Sequence, residues 1–125
     1  MDELDRVRDT VQAYIDGVVE FDFPKGESAW HPYGLKISFD SEKQKLRGFT
    51  ISQTRPNLSH DEIELMKTKV SQKGTIISVE RTGDAASVKL VWQYEREGME
   101  KEITDYILLL RINADWKIVA KVFNE

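Results

Sequence analysis

Asp105 stands between Ile103 and Ile107 in a stretch that otherwise alternates like a strand, so its carboxylate falls on a mostly apolar face. A carboxylate there loses hydration free energy unless it is paired or protonated, which makes Asp105 a candidate for acid–base catalysis or for holding a ligand. The plainer reading is an ion pair with Lys121, diagonal to it in the register argued below, that only fixes the sheet. His31 is the second catalytic candidate. It titrates near neutrality and at a pocket entrance would serve as acid, base or hydrogen-bond donor; beside Pro32 it is equally a capping or loop histidine.

Tyr14 and Trp92 complete the candidate ligand-binding set with His31, Asp105 and Lys121. A tyrosine at the edge of a helix stripe presents an apolar ring with a hydroxyl that can orient a ligand carbonyl, and an inward tryptophan can stack on a ring; both types are also ordinary core residues. His60 opens a solvated helix and is assigned no role. Two histidines far apart, scattered acids and no cysteine leave no metal-ligand spacing, so no metal is expected. The same lack of cysteine excludes a disulfide framework and a thiolate nucleophile. Gly83 and Gly98 read as hairpin glycines, because no strand-to-helix phosphate loop surrounds them, and no cofactor is implied. No serine has a histidine at a recognisable position, and Lys121 alone does not make a Schiff-base site.

The elements that must position these residues are legible in the periodicity. Leu4, Val7, Val11, Tyr14, Ile15 and Val18 lay one apolar stripe along a first helix, whose positive end suits Asp2, Glu3 and Asp5. That helix should stop around Asp22, with Pro24 opening a short second helix over Lys25 to Trp30 that the His31-Pro32 step ends. Leu35, Ile37 and Phe39 alternate with Lys36 and Ser38 as a half-buried strand. A second short strand over Leu46 to Ser52 follows the polar turn Asp40 to Lys45, and Pro56 and Asn57 break it. Ser59-His60-Asp61-Glu62 has capping-box spacing, which predicts a third helix from His60 to Ser71. From Thr75 onward the chain reads as four long strands with turns at Thr82-Gly83-Asp84, Glu97-Gly98 and Asn113-Ala114-Asp115. Helices gathered in the first half and an antiparallel meander in the second predict one α+β domain over residues 1–125.

A two-residue turn at Glu97-Gly98 pairs Arg96 with Met99, and a three-residue loop over Asn113 to Asp115 pairs Ile112 with Trp116. These registers put Val88, Leu90, Trp92, Ile103, Asp105, Ile107, Leu109, Val119, Lys121 and Phe123 on one face. They put Val91, Tyr106, Leu108, Leu110, Ile112, Trp116, Ile118, Ala120 and Val122 on the other. Both faces are apolar, and three helices cover only one of them. The other is expected to meet a second copy, in a homodimer that buries on the order of 1,500 Å².

Val11 to Asp22 (VQAYIDGVVEFD), Trp30-His31-Pro32, and the run from Gly83-Asp84-Ala85-Ala86 through Thr104-Asp105-Tyr106 to Trp116-Lys117-Ile118-Val119 and Lys121-Val122-Phe123 together resemble a known family. It is the "putative lumazine-binding" branch of the NTF2-like superfamily, close to polyketide-cyclase-like and ketosteroid-isomerase-like groups, and the likeness runs over essentially the whole chain. The resemblance implies a cone in which a strongly bent, mainly antiparallel sheet and the first helix enclose an apolar pocket, with dimerisation through the outer sheet face. It does not imply lumazine as the ligand. Ketosteroid isomerases use a helix tyrosine, a neutral aspartic acid and a separate carboxylate base. Tyr14 and Asp105 match the first two. The base position falls near Ser38, where Lys36, Ile37, Ser38 and Phe39 offer no carboxylate; Asp40 would serve only if the alignment were two residues off.

A net charge of −4 and lysines scattered among acids argue against nucleic acid. The acidic N-terminus and the lack of a long apolar run argue against a signal peptide or membrane partner and for the cytoplasm. Three functions fit. The first is a noncatalytic or weakly catalytic domain that binds a small apolar or aromatic molecule. The second is a cyclase, isomerase or dehydratase in which His31 or Asp105 moves a proton. The third is a dimerising interaction module with a collapsed core. The architecture hosts enzymes and nonenzymes alike.

Overall fold

The structure, a computed structural model, describes residues 2–124. Helix α1 spans Glu3–Glu20 and is capped by Asp2, whose carboxylate accepts from the Asp5 amide at 2.8 Å. It ends just short of the expected Asp22, because Phe21 adopts a left-handed conformation (φ 57°) and returns its amide to the carbonyls of Gly17 and Val18. Helix α2, Phe23–Ser28, is capped by Asp22 and begins two residues earlier than expected, with Pro24 in its first turn. Gly17 and Gly26 let α1 and α2 cross closely: a Cβ on Gly17 would lie 2.9 Å from the Asp22 carbonyl oxygen and nearer still to the Gly26 backbone.

Six strands follow: β1 Trp30–Asp40, β2 Lys45–Thr50, β3 Val70–Thr82, β4 Ala85–Arg96, β5 Met99–Ile112 and β6 Asp115–Asn124. They form one sheet in the order β2-β1-β6-β5-β4-β3, antiparallel except for the parallel pair β1 and β6. His31 and Pro32 lie inside β1 instead of ending a helical turn. The strand tolerates the proline because its ladder with β6 jumps from Trp30–Ile118 to Leu35–Ala120, leaving the residues between without regular pairing. A 3₁₀ turn at Ser52–Thr54 leads towards helix α3, His60–Lys69. There the capping box forms as expected: Ser59 Oγ accepts from the Glu62 amide at 3.1 Å, and the Glu62 carboxylate accepts from the Ser59 amide at 3.3 Å. β3 continues directly from α3, so it starts at Val70, five residues before the expected Thr75.

Val7, Val11, Tyr14 and Ile15 of α1 pack on Val88, Leu90, Trp92, Ile107, Leu109, Trp116 and Ile118 of the sheet, and this is the core. Gly74 of β3 makes room for α1, since a Cβ there would meet Ile15 Cγ2 at 3.0 Å. Helix α3 has no buried residue and meets β3 with few contacts, so cover of the inner face comes chiefly from α1.

The β4–β5 register is the expected one, Arg96 opposite Met99. The β5–β6 register is a correction. The turn has two residues, Asn113 and Ala114, both at positive φ (50° and 70°), so Ile112 faces Asp115 instead of Trp116. Val119 is then an extra residue in β6, between the pairs Leu109–Ile118 and Leu108–Ala120. The bulge restores the expected pairing from Leu108 back to Asp105, which leaves Lys121 and Phe123 on the inner face as predicted. Before the bulge the faces are reversed: Trp116 and Ile118 are buried in the core, not on the outer face. β1 is also inverted. Ser38 is 5% exposed, whereas Leu35 (40%) and Phe39 (47%) face outwards with Tyr106, Leu108, Leu110 and Val122.

Candidate functional site

The inner face near the middle of the sheet gathers four of the residues that the sequence singles out. Asp105, 1% exposed, accepts a hydrogen bond from Trp92 Nε1 through Oδ2 at 2.8 Å, because β4 and β5 set Leu90 opposite Asp105 and Trp92 two residues along on the same face. Lys121 Nζ lies 3.5 Å from the same oxygen and donates to the Tyr14 hydroxyl at 3.1 Å. Tyr14 is clamped edge-on between Trp30 and Trp92, with ring centroids 5.7 and 6.0 Å away. The diagonal Asp105–Lys121 pair therefore forms, and it continues through Lys121 to Tyr14.

Burial pushes the Tyr14 phenol above the ordinary tyrosine value, although Lys121 pulls the other way. Tyr14 thus keeps its proton at neutral pH. Burial opposes the charge on Lys121, but the Tyr14 oxygen and the Asp105 carboxylate outweigh it and hold the ammonium above the ordinary lysine value. Among the described residues, buried Asp105 Oδ1 and Trp30 Nε1 of this neighbourhood find no hydrogen-bond partner.

A cavity of about 210 Å³ opens beside this cluster, between α1, α2, β1 and the segment after β2. Its apolar wall comes from Val18, Phe21, Phe23, Ile51 and Pro56, and its polar groups include Tyr14, Lys36, Thr54, Arg55 and Gln72. Tyr14 links the cavity to the cluster. Trp92, Asp105 and Lys121 stand behind it and are not part of the lining, so they act on the cavity through Tyr14. His31 is away from the cavity: its Nδ1 accepts from the Tyr33 amide at 3.1 Å, and its ring leans on Tyr33 at 5.5 Å. It therefore does not occupy the entrance expected for it.

Of the expected ligand-binding set only Tyr14 lines the cavity, and among the lining residues that sequence reasoning missed Lys36 carries the most chemistry. The alternation of Leu35, Ile37 and Phe39 suggested that Lys36 pointed to solvent, but pairing with Lys121 sets it on the inner face. Its ammonium sits over the Trp30 ring at 5.7 Å. Burial first, and the nearby Lys121 charge second, bring its pKa down from 10.5 to about 8. The signal that could have found it is the apolarity of both sheet faces, which makes alternation alone unable to say which side is inward.

Ser38, near which the resemblance places a base, is buried, and Asp40 accepts from the amides of Glu42 and Lys43 in the β1–β2 turn, each at 3.1 Å. Asp40 is thus a turn residue. Among the described residues no group of three or more His, Asp or Glu is placed to hold a metal ion, and no helix is long and apolar enough to cross a membrane.

Solved structures share the fold. An NTF2-like protein of unknown function from Methylobacillus flagellatus superposes with a TM-score of 0.73 at 17% identity, covering 99% of this chain and 92% of that one. One of the same description from Shewanella baltica gives 0.71 at 18%, covering 97% and 91%. A ketosteroid isomerase-like protein from Erwinia carotovora gives 0.64 at 16%, covering 98% and 95%. No curated protein matches the chain. The family model described as "Putative lumazine-binding" matches residues 2–124, and the chain belongs to that family.

Proposed function

We propose that the domain binds a small, mostly apolar or aromatic molecule in the cavity, with the Tyr14 hydroxyl as its buried polar contact. The observation that carries this reading is the state of that hydroxyl. Its oxygen accepts from Lys121, its ring is fixed between two tryptophans, its own proton has no acceptor among the described residues, and Tyr14 lines a largely apolar cavity. A donor held this way costs little ordering entropy when a carbonyl or similar oxygen meets it. Isomerase chemistry is less favoured, because the inward position Ser38 has no carboxylate to move a proton.

The second element of the proposal is a homodimer through the outer sheet face. Leu35, Phe39, Tyr106, Leu108, Leu110 and Val122 are exposed there, an apolar group of the kind that marks an interaction surface. The cysteine-free composition suits a reducing compartment, and we assign the domain to the cytoplasm.

Native mass spectrometry tests both elements. A dimer that carries a small nonprotein mass, or that takes one up from a library of aromatic compounds with quenching of tryptophan fluorescence, supports the reading. A monomer removes the dimer. A dimer that binds nothing, with Tyr14→Phe and the parent protein alike, removes the pocket.

A further inference from the structure

We infer that the cavity selects a monoanionic amphiphile, one or two fused rings bearing a carboxylate or equivalent acid group, and that Lys36 is the residue that imposes this choice. The inference rests on the binding role proposed above and specifies the ligand's charge.

The argument begins with the charge balance of the lining and of the cluster behind it. Arg55 is satisfied by Glu27 in a two-pronged pair, Nε to Oε1 at 2.6 Å and Nη2 to Oε2 at 2.8 Å. Lys121 is balanced by Asp105 at 3.5 Å. Lys36 is left over. Among the described residues its ammonium has no hydrogen bond and no ion pair; it sits over the face of Trp30 at 5.7 Å and feels the Asp105 and Glu27 carboxylates only through space. An aromatic face eases a cation but accepts none of its three N–H bonds as a carboxylate would.

The second part is shape. Lys36 shares the cavity with Tyr14, whose free proton gives a neutral donor beside the cation, and the rest of the wall is mostly the apolar surface of Val18, Phe21, Phe23, Ile51 and Pro56. An acid group held between Lys36 and Tyr14, with a ring against that wall, would satisfy both donors at once. A cavity of about 150 Å³ accommodates benzene, so one of about 210 Å³ suits one or two fused rings and is too small for a four-ring skeleton. The lowered pKa of Lys36 is what an uncompensated, partly desolvated ammonium should show, and a bound anion would raise it again.

The test compares 2-naphthoate with 2-naphthamide, which share size and rings and differ in charge, by calorimetric titration against the full chain at neutral pH. Parent protein should bind the acid at least tenfold more tightly than the amide. Lys36→Met should reduce that preference to about twofold or less while still binding the amide, and Lys36→Arg should keep it. Circular dichroism confirms that each variant is folded. Equal affinity for the two compounds, or a preference that survives Lys36→Met, overturns the inference and leaves the pocket reading intact. Failure of the parent protein to bind either compound, or any other aromatic compound, overturns the pocket reading and this inference together.

Discussion

Replacing Lys36 by methionine should stabilise the protein at neutral pH, and the gain should vanish as the solution becomes alkaline. The folded-state pKa of Lys36 is about 8 against 10.5 for a free lysine. At about 1.4 kcal/mol per pH unit that gap corresponds to ~3 kcal/mol of penalty on the charged form. The amine keeps part of its water contact, so solvent screening reduces this to about 1.5 kcal/mol. The contact with Trp30 contributes about 0.5 kcal/mol in the other direction and is lost on substitution. The expected net gain at pH 7 is therefore about 1 kcal/mol, or roughly 4 °C in midpoint.

The sign follows from proton counting. Below pH 8 both states hold the proton and the penalty is fully present. Between about 8 and 10.5 the unfolded chain binds more protons than the folded one, so the stability of the parent rises with pH; above 10.5 both are neutral and the penalty is gone. The other charged groups that act on Lys36, which are Lys121 and Asp105 behind Tyr14 and Glu27 on the cavity wall, are common to both proteins. The difference between parent and variant isolates Lys36. Urea unfolding followed by tryptophan fluorescence, repeated from pH 7 to 10.5, should show the variant ahead at pH 7 and level or slightly behind at pH 10.5. A variant less stable than the parent at pH 7, or a difference that does not change with pH, would refute the assignment of Lys36 to the cavity wall.

Asp105→Asn should cost about 3 kcal/mol, because it leaves Lys121 charged and buried without its carboxylate while the Trp92 N–H keeps an acceptor; chemical denaturation measures the loss, and a change within 0.5 kcal/mol (roughly the effect of a surface substitution) would show that the pair is not needed. Gly17→Ala should force α1 and α2 apart at their crossing and lower stability by more than about 2 kcal/mol, with loss of aromatic ligand binding in the cavity that both helices line; an unchanged melting midpoint would contradict the close approach. Ala114→Gly should raise stability by about 1 kcal/mol, since Ala114 sits at φ 70° in the β5–β6 turn, and thermal unfolding that shows a decrease would argue against the two-residue turn.

Helix α1 was legible because its stripe repeats at helical spacing and Asp2 caps it. Helix α3 was legible because Ser59 and Glu62 carry a reciprocal cap. The strands of the second half were legible from alternation and turn chemistry, and with them the Asp105–Lys121 pair. Helix ends were less so: a left-handed Phe21 has no compositional mark, unlike a glycine. The β5–β6 turn differs from the expected loop because alanine rarely adopts positive φ, and the bulge at Val119 that compensates for it leaves no trace in the residue types. His31 looked functional by its chemistry alone, yet its ring is held by Tyr33 outside the cavity.

By itself the sequence determined the α+β order of elements, the apolar stripe of α1, the two apolar sheet faces and the presence of one acid and one base close enough to pair across β5 and β6. Periodicity and local capping are short-range properties, and they act before any element meets another. Only the tertiary structure decided which face of β1 is inward, that Lys36 and not His31 stands at the cavity, and that Tyr14 separates the buried ion pair from it. Those outcomes depend on how β1 aligns with β6 in parallel and how closely Gly17 lets α1 approach α2. When both faces of a strand are nearly equal in apolar content, long-range pairing is what breaks the tie.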